Sequence, residues 1–494
     1  MSRERQAAAI LALGAVAAAF GFAGAAWLDG RGEAPPPAAA AARAVPAAPP
    51  EEALLEPPPP AEPAAAPGPD PASAPRPLPE AEPAPRPAPR PGPEPRAAPK
   101  PRPEPQAPRV PDPRPAPQPP PPPPAHVDPP AEPPAGVVIP AAELPAGAEA
   151  ARRSLAADLA SAPPGSAEEA DLRRGLALWN AYLAPAAPPA PAGRRATIAR
   201  ALRANAWWFA RRRPPEERVL LRDPDGVILT YRRGQGFAVN PVATTGRWGG
   251  LNDDVPPEAL AATLLEMGVE RVAGDRRFLA WEYYDVADDP AAIRPGASAM
   301  AQARVALLMA HGAARSGDPR LEAAALGALG AFVVHVDRGG VRTLVATEAG
   351  QAPAPWYVER AYPGESPWKG AALNGFMVTL LNLRGAAAAL DREGTASAPA
   401  AAALARDLAD RGAATLDRHL ADHDSGSWSY YGLLTPGRPW RSYLADLNYH
   451  CYHVRLLERL AEAYPERGFA ATAARWQGYV DRAGVACPAR PAAP

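Results

Sequence analysis

An excess of charge of either sign is missing from this 494-residue sequence, where 52 lysines and arginines face 53 aspartates and glutamates for a formal net charge of −1. With no global basic field, nucleic acid is not an expected partner. Cysteine is almost absent. Cys451 and Cys487 are too few for a zinc cluster or a disulfide framework, and they leave open one disulfide between them. Aromatic residues make up only 6%, so any aromatic cluster is a local excess.

What is abundant is proline, and it is unevenly spread. More than half of the 71 prolines precede residue 141. Residues 1–6 carry Arg3 and Arg5, and an apolar run, AAAILALGAVAAAFGFAGAAWL, follows at 7–28. Roughly 20 apolar residues suffice to span a bilayer as a helix. Arginines on the short leading side predict a cytoplasmic N-terminus, with the rest of the chain on the far side. A cleaved signal peptide is the competing reading, since small residues around Ala23–Ala26 could serve as a cleavage site. The length of the run and Trp27 at its outer edge favour a retained signal anchor. Residues 29–136 are Pro/Ala-rich with scattered Glu and Arg. Such a composition buries too little apolar surface to fold and biases the chain to extended polyproline II. The expectation is a disordered, semi-rigid tether from the inner membrane to a domain at 137–494.

That domain reads as mainly α. Ala148–Leu159, Ala167–Leu183 and Ala196–Arg212 show amphipathic spacing. Two β-type runs at 218–222 and 227–233, joined by Asp223-Pro224-Asp225-Gly226, predict a small hairpin near the start. From residue 256 helices dominate, at 257–274, 298–316, 318–336, 370–391, 398–420, 445–464 and 467–484. Serial helical hairpins fit a bundle or an (α/α) toroid or barrel. Aromatic-bearing loops between them (281–286, 356–368 and 428–440) would line a groove suited to a carbohydrate.

The densest stretch is Ser425–Leu457, with seven tyrosines and tryptophans and two histidines in 33 residues. Its first half is rich in Ser and Gly, and from Asp446 apolar residues recur at helical spacing. Phenols and imidazoles at a loop–helix junction suit a pocket with proton-transfer groups. The alternative is that these aromatics seal one end of a helical core.

Five motifs occur in a telling order: Asn240-Pro241-Val242; Ser298-Ala299-Met300-Ala301-Gln302; Tyr362-Pro363 with Leu373-Asn374-Gly375-Phe376; Trp428-Ser429-Tyr430-Tyr431; and Tyr449-His450 with His453. Over roughly residues 225–480 the chain resembles the C-terminal catalytic domain of the D-glucuronyl C5-epimerase family. The resemblance implies an α/α toroid holding an acidic, glucuronate-containing polysaccharide, and inversion at C5 by removal and return of a proton. It implies catalytic roles for Tyr431, Tyr449 and Tyr362, the first two transferring protons. Asn374 would hydrogen-bond the sugar or its carboxylate, with His450 and His453 in support. Gln302, Asn240, Trp428 and Arg441 complete the expected substrate contacts, Gln302 having also the reading of a buried structural amide. No cofactor and no metal are expected, since His450 and His453 lack a third ligand.

The chain departs from the family pattern at three places. Ala361 stands where an acidic residue commonly precedes the first tyrosine, with Glu359 two residues off. Gly432-Leu433-Leu434 replaces Asp-Leu-Arg after the second tyrosine, so a bidentate carboxylate clamp is absent there. Leu447 and Asn448 replace a tryptophan and an acid before the last tyrosine. The sequence therefore supports a periplasmic, membrane-tethered epimerase-like enzyme. Its alternatives are a uronate lyase, a non-catalytic polysaccharide-binding envelope protein, and a structural tether.

Overall fold

The computed structural model describes residues 135–488 except 217–218, 248–249, 285–293, 346–352, 393–397 and 433–443. The expected anchor at 7–28, the expected linker up to residue 134, and Arg441 lie outside the described residues. What is described is mainly helical with three small sheets, and no closed barrel forms among the described residues.

The first sheet has four strands, in the order β1 (Ala135–Val138), β2 (Val219–Arg222), β3 (Ile228–Arg232) and β4 (Gly236–Val239). The expected hairpin is its centre. Asp223 accepts hydrogen bonds from the Asp225 and Val227 N–H groups at 3.0 and 2.9 Å, and Gly226 takes the positive φ that the turn requires. The sheet is larger than that hairpin because β1 pairs with β2 in parallel. A parallel pair needs a long crossover, supplied by α1 (Ala148–Ser161), α2 (Ala167–Tyr182) and α3 (Ala192–Phe209). Asn205 of α3 clamps the Phe237 peptide of β4 from both sides, donating at 2.7 Å and accepting at 2.8 Å.

A short α4 (Pro241–Thr245) and α5 (Pro257–Leu265) lead to a hairpin of β5 (Val269–Ala273) and β6 (Arg276–Ala280). Three helical hairpins follow: α6 (Ala299–Ser316) with α7 (Pro319–Gly330), α8 (Leu373–Asp391) with α9 (Ala398–His419), and α10 (Leu447–Ala463) with α11 (Phe469–Arg482). A third sheet, β7 (Arg342–Val345) with β8 (Ala354–Tyr357), precedes α8. Helix α8 is long and apolar enough to cross a membrane, yet 83% of its apolar window is buried inside the domain. It is the core helix, packed against α6, α9 and α10.

Hydrogen bonds lace together the segments that enter α6, α8 and α10. Ala297 pairs with Ala361, the Glu359 N–H donates to the Gly370 carbonyl, and Ala372 pairs with Gly432. Ala445 donates to the Ser429 carbonyl at 2.9 Å. The N-termini of α6, α8 and α10 therefore meet at one end of the bundle. Cys451 of α10 and Cys487 beyond α11 form a disulfide.

Two expected helices are shorter than their apolar spacing suggested. The one at 257–274 stops at Leu265, because from Val269 to Ala273 burial alternates with period two and the segment hydrogen-bonds as β5. The one at 318–336 stops as an α-helix at Gly330 and gives way to two 3-10 turns, Ala331–Val333 and Val336–Arg338, with the β-branched Val334 extended between them. The expected aromatic loop at 356–368 begins inside β8, which holds Trp356 and Tyr357.

Candidate active site

Where the three helix N-termini meet, Tyr431 and Tyr449 touch edge to face, with ring centroids 4.8 Å apart and planes at 78°. Backbone pairing places both. The Tyr431 carbonyl accepts from the Leu373 N–H at 2.8 Å, at the start of α8. Tyr449 lies in the first turn of α10, its N–H bonded to the capping Asp446 carboxylate at 2.8 Å. With Ala372 and Ala445 the two rings form a cluster separate from the main hydrophobic core. The pair is therefore a wall beside the core.

Tyr362 reaches this end of the bundle from the segment that pairs with Ala297. Its ring lies flat over Gly296, where an added Cβ would come within 2.2 Å of the Tyr362 Cζ. Only glycine leaves room for that ring.

Asn374, at the second position of α8, is fully buried, and neither its amide oxygen nor its nitrogen has a hydrogen-bond partner. The helix start has no side-chain cap, since Ala372 holds the capping position. Glu359 approaches the same turn, with one carboxyl oxygen 2.3 Å from where a Cβ on Gly375 would be. Both Glu359 carboxyl oxygens are buried without a partner. Burial pushes this carboxyl up to about 8, against the opposing charges of Arg360 and Arg304. Near neutral pH it is a protonated acid and a hydrogen-bond donor. Two further buried groups keep an unpartnered polar atom nearby, Arg304 Nη2 and Tyr452 Oη. Burial draws the Arg304 guanidinium down, while Tyr452, Tyr283 and Glu359 favour its charge.

Below the tyrosines, Ser429 joins the two histidines. Its hydroxyl lies 2.8 Å from His450 Nδ1 and 2.9 Å from His453 Nδ1, and its N–H donates to His450 Nδ1 at 3.1 Å. His450 Nε2 faces the Trp476 carbonyl at 3.0 Å and must carry the proton. Nδ1 of His450 is then an acceptor, taking the Ser429 N–H, and the Ser429 hydroxyl bridges the two Nδ1 atoms. His453 Nε2 is left buried without a partner. Burial lowers His450 to about 4 and His453 well below its usual range. Both rings spend Nδ1 on Ser429, which suits hydrogen-bond support and not a metal pair. Trp428 stacks on His450 at 3.9 Å and bonds the Ala445 carbonyl through its indole N–H.

Two expected substrate contacts are occupied elsewhere. The Gln302 amide accepts from the Trp281 N–H at 2.9 Å and donates to the Leu279 carbonyl at 2.7 Å, so it holds the end of β6. Asn240 caps α4 through the Ala243 N–H and donates to Thr230 Oγ1, both at 3.0 Å. Sequence reasoning gave no role to Ser429, Arg304 or Tyr452. Arg304 had left a signal, as the one charge within the apolar run of α6 between Ala299 and His311.

The residues gathered here fall within a stretch with a known counterpart. Residues 278–478 match the D-glucuronyl C5-epimerase C-terminus family. The match covers the 298–302, 362–376, 428–431 and 449–453 motifs that carried the resemblance, and begins after Asn240-Pro241-Val242. No curated protein matches the chain.

Proposed function

We propose that the chain is a uronate C5-epimerase-like enzyme of an acidic polysaccharide, with Tyr431 and Tyr449 transferring the C5 proton. The observation that carries this reading is the Tyr431–Tyr449 contact at the α8 and α10 N-termini, inside the matched family region. One tyrosine, as phenolate, takes the C5 proton, and the electron pair moves into the carboxylate to give an enediolate. The other, as phenol, returns its proton to the opposite face and becomes the phenolate. Near-perpendicular ring planes let the two phenols approach one sugar from different directions. Tyr362 supplies a third phenol at the same end of the bundle.

A carbon acid beside a carboxylate is very weak, so the developing dianion must be stabilised. The chain lacks the family's arginine after Tyr431, and the start of α8 offers a substitute. The uncapped helix N-terminus favours an anion, Asn374 brings an unpartnered amide, and Glu359 brings a neutral carboxyl O–H. A carboxylic acid kept protonated by burial can donate to an oxyanion as charge develops. The helical hairpins with their inner N-termini together suit an α/α toroid arc. The apolar run at 7–28 and the proline-rich stretch support a membrane-tethered domain, and the Cys451–Cys487 disulfide suits an oxidising, extracytoplasmic compartment.

The test is product analysis. Full-length protein incubated with a glucuronate polymer should yield C5-inverted uronate by NMR. New ultraviolet absorbance from an unsaturated uronate would instead identify a lyase.

A further inference from the structure

A cavity of about 400 Å³ opens between β5–β6, the segment after α7, and α9. Four arginines line it: Arg276, Arg338, Arg342 and Arg411, with His335 and Asp275 beside them. The acids near it are few. Arg411 pairs with Asp407, and His335 lies 3.3 Å from Asp337. Among the described residues Arg276, Arg338 and Arg342 have no ion-pair partner, and Arg342 Nε is buried without a hydrogen bond. Burial, Arg411 and Arg276 all disfavour the Arg342 charge, and only the Tyr357 hydroxyl favours it. Like charges this close are costly unless an anion joins them.

The location matters as much as the charge. Arg342 stands opposite Tyr357 in the β7–β8 ladder, and five residues further along the chain is Tyr362. Five residues span at most about 18 Å, so one extended oligosaccharide could reach both.

We propose that this arginine-lined cavity is a second anion subsite, taking a carboxylate or sulfate group of the acidic polysaccharide at a distance from the sugar being epimerised. The inference rests on the epimerase reading and extends it. It accounts for how the chain grips a polyanion without a global positive charge. A guanidinium fork matches the planar oxygens of a carboxylate or sulfate, and the cavity is open enough to admit a group carried on a chain.

The experiment uses the full-length protein and the variants Arg338→Gln and Arg342→Gln, with Arg276→Gln as a third in case either fails to fold. Binding of a long glucuronate polymer is measured by fluorescence polarisation at several salt concentrations, beside exchange at C5 of a short uronate oligosaccharide. Each folded variant should bind the long polymer about tenfold more weakly, with a shallower salt dependence and unchanged exchange on the short substrate. A carboxyl-reduced polymer should bind wild type as weakly as the unmodified polymer binds the variants, and a sulfated but carboxyl-reduced polymer would assign the subsite to sulfate. Unchanged polymer affinity in the folded variants would overturn the proposal. So would inorganic sulfate that occupies the cavity without displacing the polymer. Arginine-dependent binding with no exchange on any substrate would keep the subsite and remove the epimerase reading instead.

Discussion

Tyr431 and Tyr449 each have one hydroxyl whose removal leaves the packing nearly intact, since the ring contact of 4.8 Å does not depend on it. Tyr431→Phe and Tyr449→Phe should each lower C5 exchange on the order of a hundredfold or more, the usual cost of a positioned acid or base, with unchanged circular dichroism. Glu359 makes a different signature. Its folded proton is held to about pH 8, whereas the unfolded chain releases it near 4.5. Activity that depends on the neutral acid should fall as pH rises through about 8, and Glu359→Gln, which keeps a donor, should flatten that fall. Stability follows the same group. Above pH 4.5 the unfolded chain loses a proton that the folded protein keeps, so stability declines from 4.5 to about 8. The buried histidines act in the opposite direction. His423 and His450 are lowered by burial to about 4 from 6.5, and His453 further. Below 6.5 the unfolded chain gains up to three protons that the folded protein refuses, and this outweighs the protons that Glu359 and, up to about 6, the buried Asp171 keep in the folded state. Urea midpoints at pH 5, 6.5 and 8 should therefore peak near 6.5, with Glu359→Gln raising the value at pH 8. A midpoint that rises steadily to pH 8 would contradict this assignment of protons.

Helices α10 and α11 are tied by the Cys451–Cys487 disulfide, which closes a loop with a sequence separation of 36. Chain-entropy arguments give such a crosslink about 3–4 kcal/mol. Cys451→Ser with Cys487→Ser should lower the thermal midpoint of the domain and loosen Tyr449, two residues before Cys451. At this scale the sequence was legible wherever a period ran uninterrupted. Helices α6, α8, α9 and α10 were legible to within three residues, because apolar spacing, Ser298, Gly317 and Asp446 all mark them. The β5–β6 and β7–β8 hairpins were hidden, since Val269–Ala273 reads as the tail of an amphipathic helix until its hydrogen bonds are known. The site divides in the same way. Tyrosines and histidines announced themselves by local excess, whereas the role of Gln302 depends on backbone partners 21 and 23 residues away. Glu359 also needed the fold, because only the closeness of Gly375 shows that its carboxyl is at the start of α8.

The described residues bring together three helix N-termini, a wall of two phenols, and a buried neutral acid beside the start of α8. An arginine-lined cavity lies between β5–β6, the segment after α7, and α9, and under the proposal above its local basicity is what grips a polyanion in a chain of near-zero net charge. The central claim is that these parts remove and return the C5 proton of a polymeric uronate. Incubating full-length protein with glucuronate polymers in heavy water, and reading deuterium at C5 by NMR or mass spectrometry, tests it most directly. The account predicts deuterium at C5 with wild type and its loss in Tyr431→Phe and Tyr449→Phe. Protein that is folded and binds the polymer, yet leaves C5 wholly unlabelled, would contradict it.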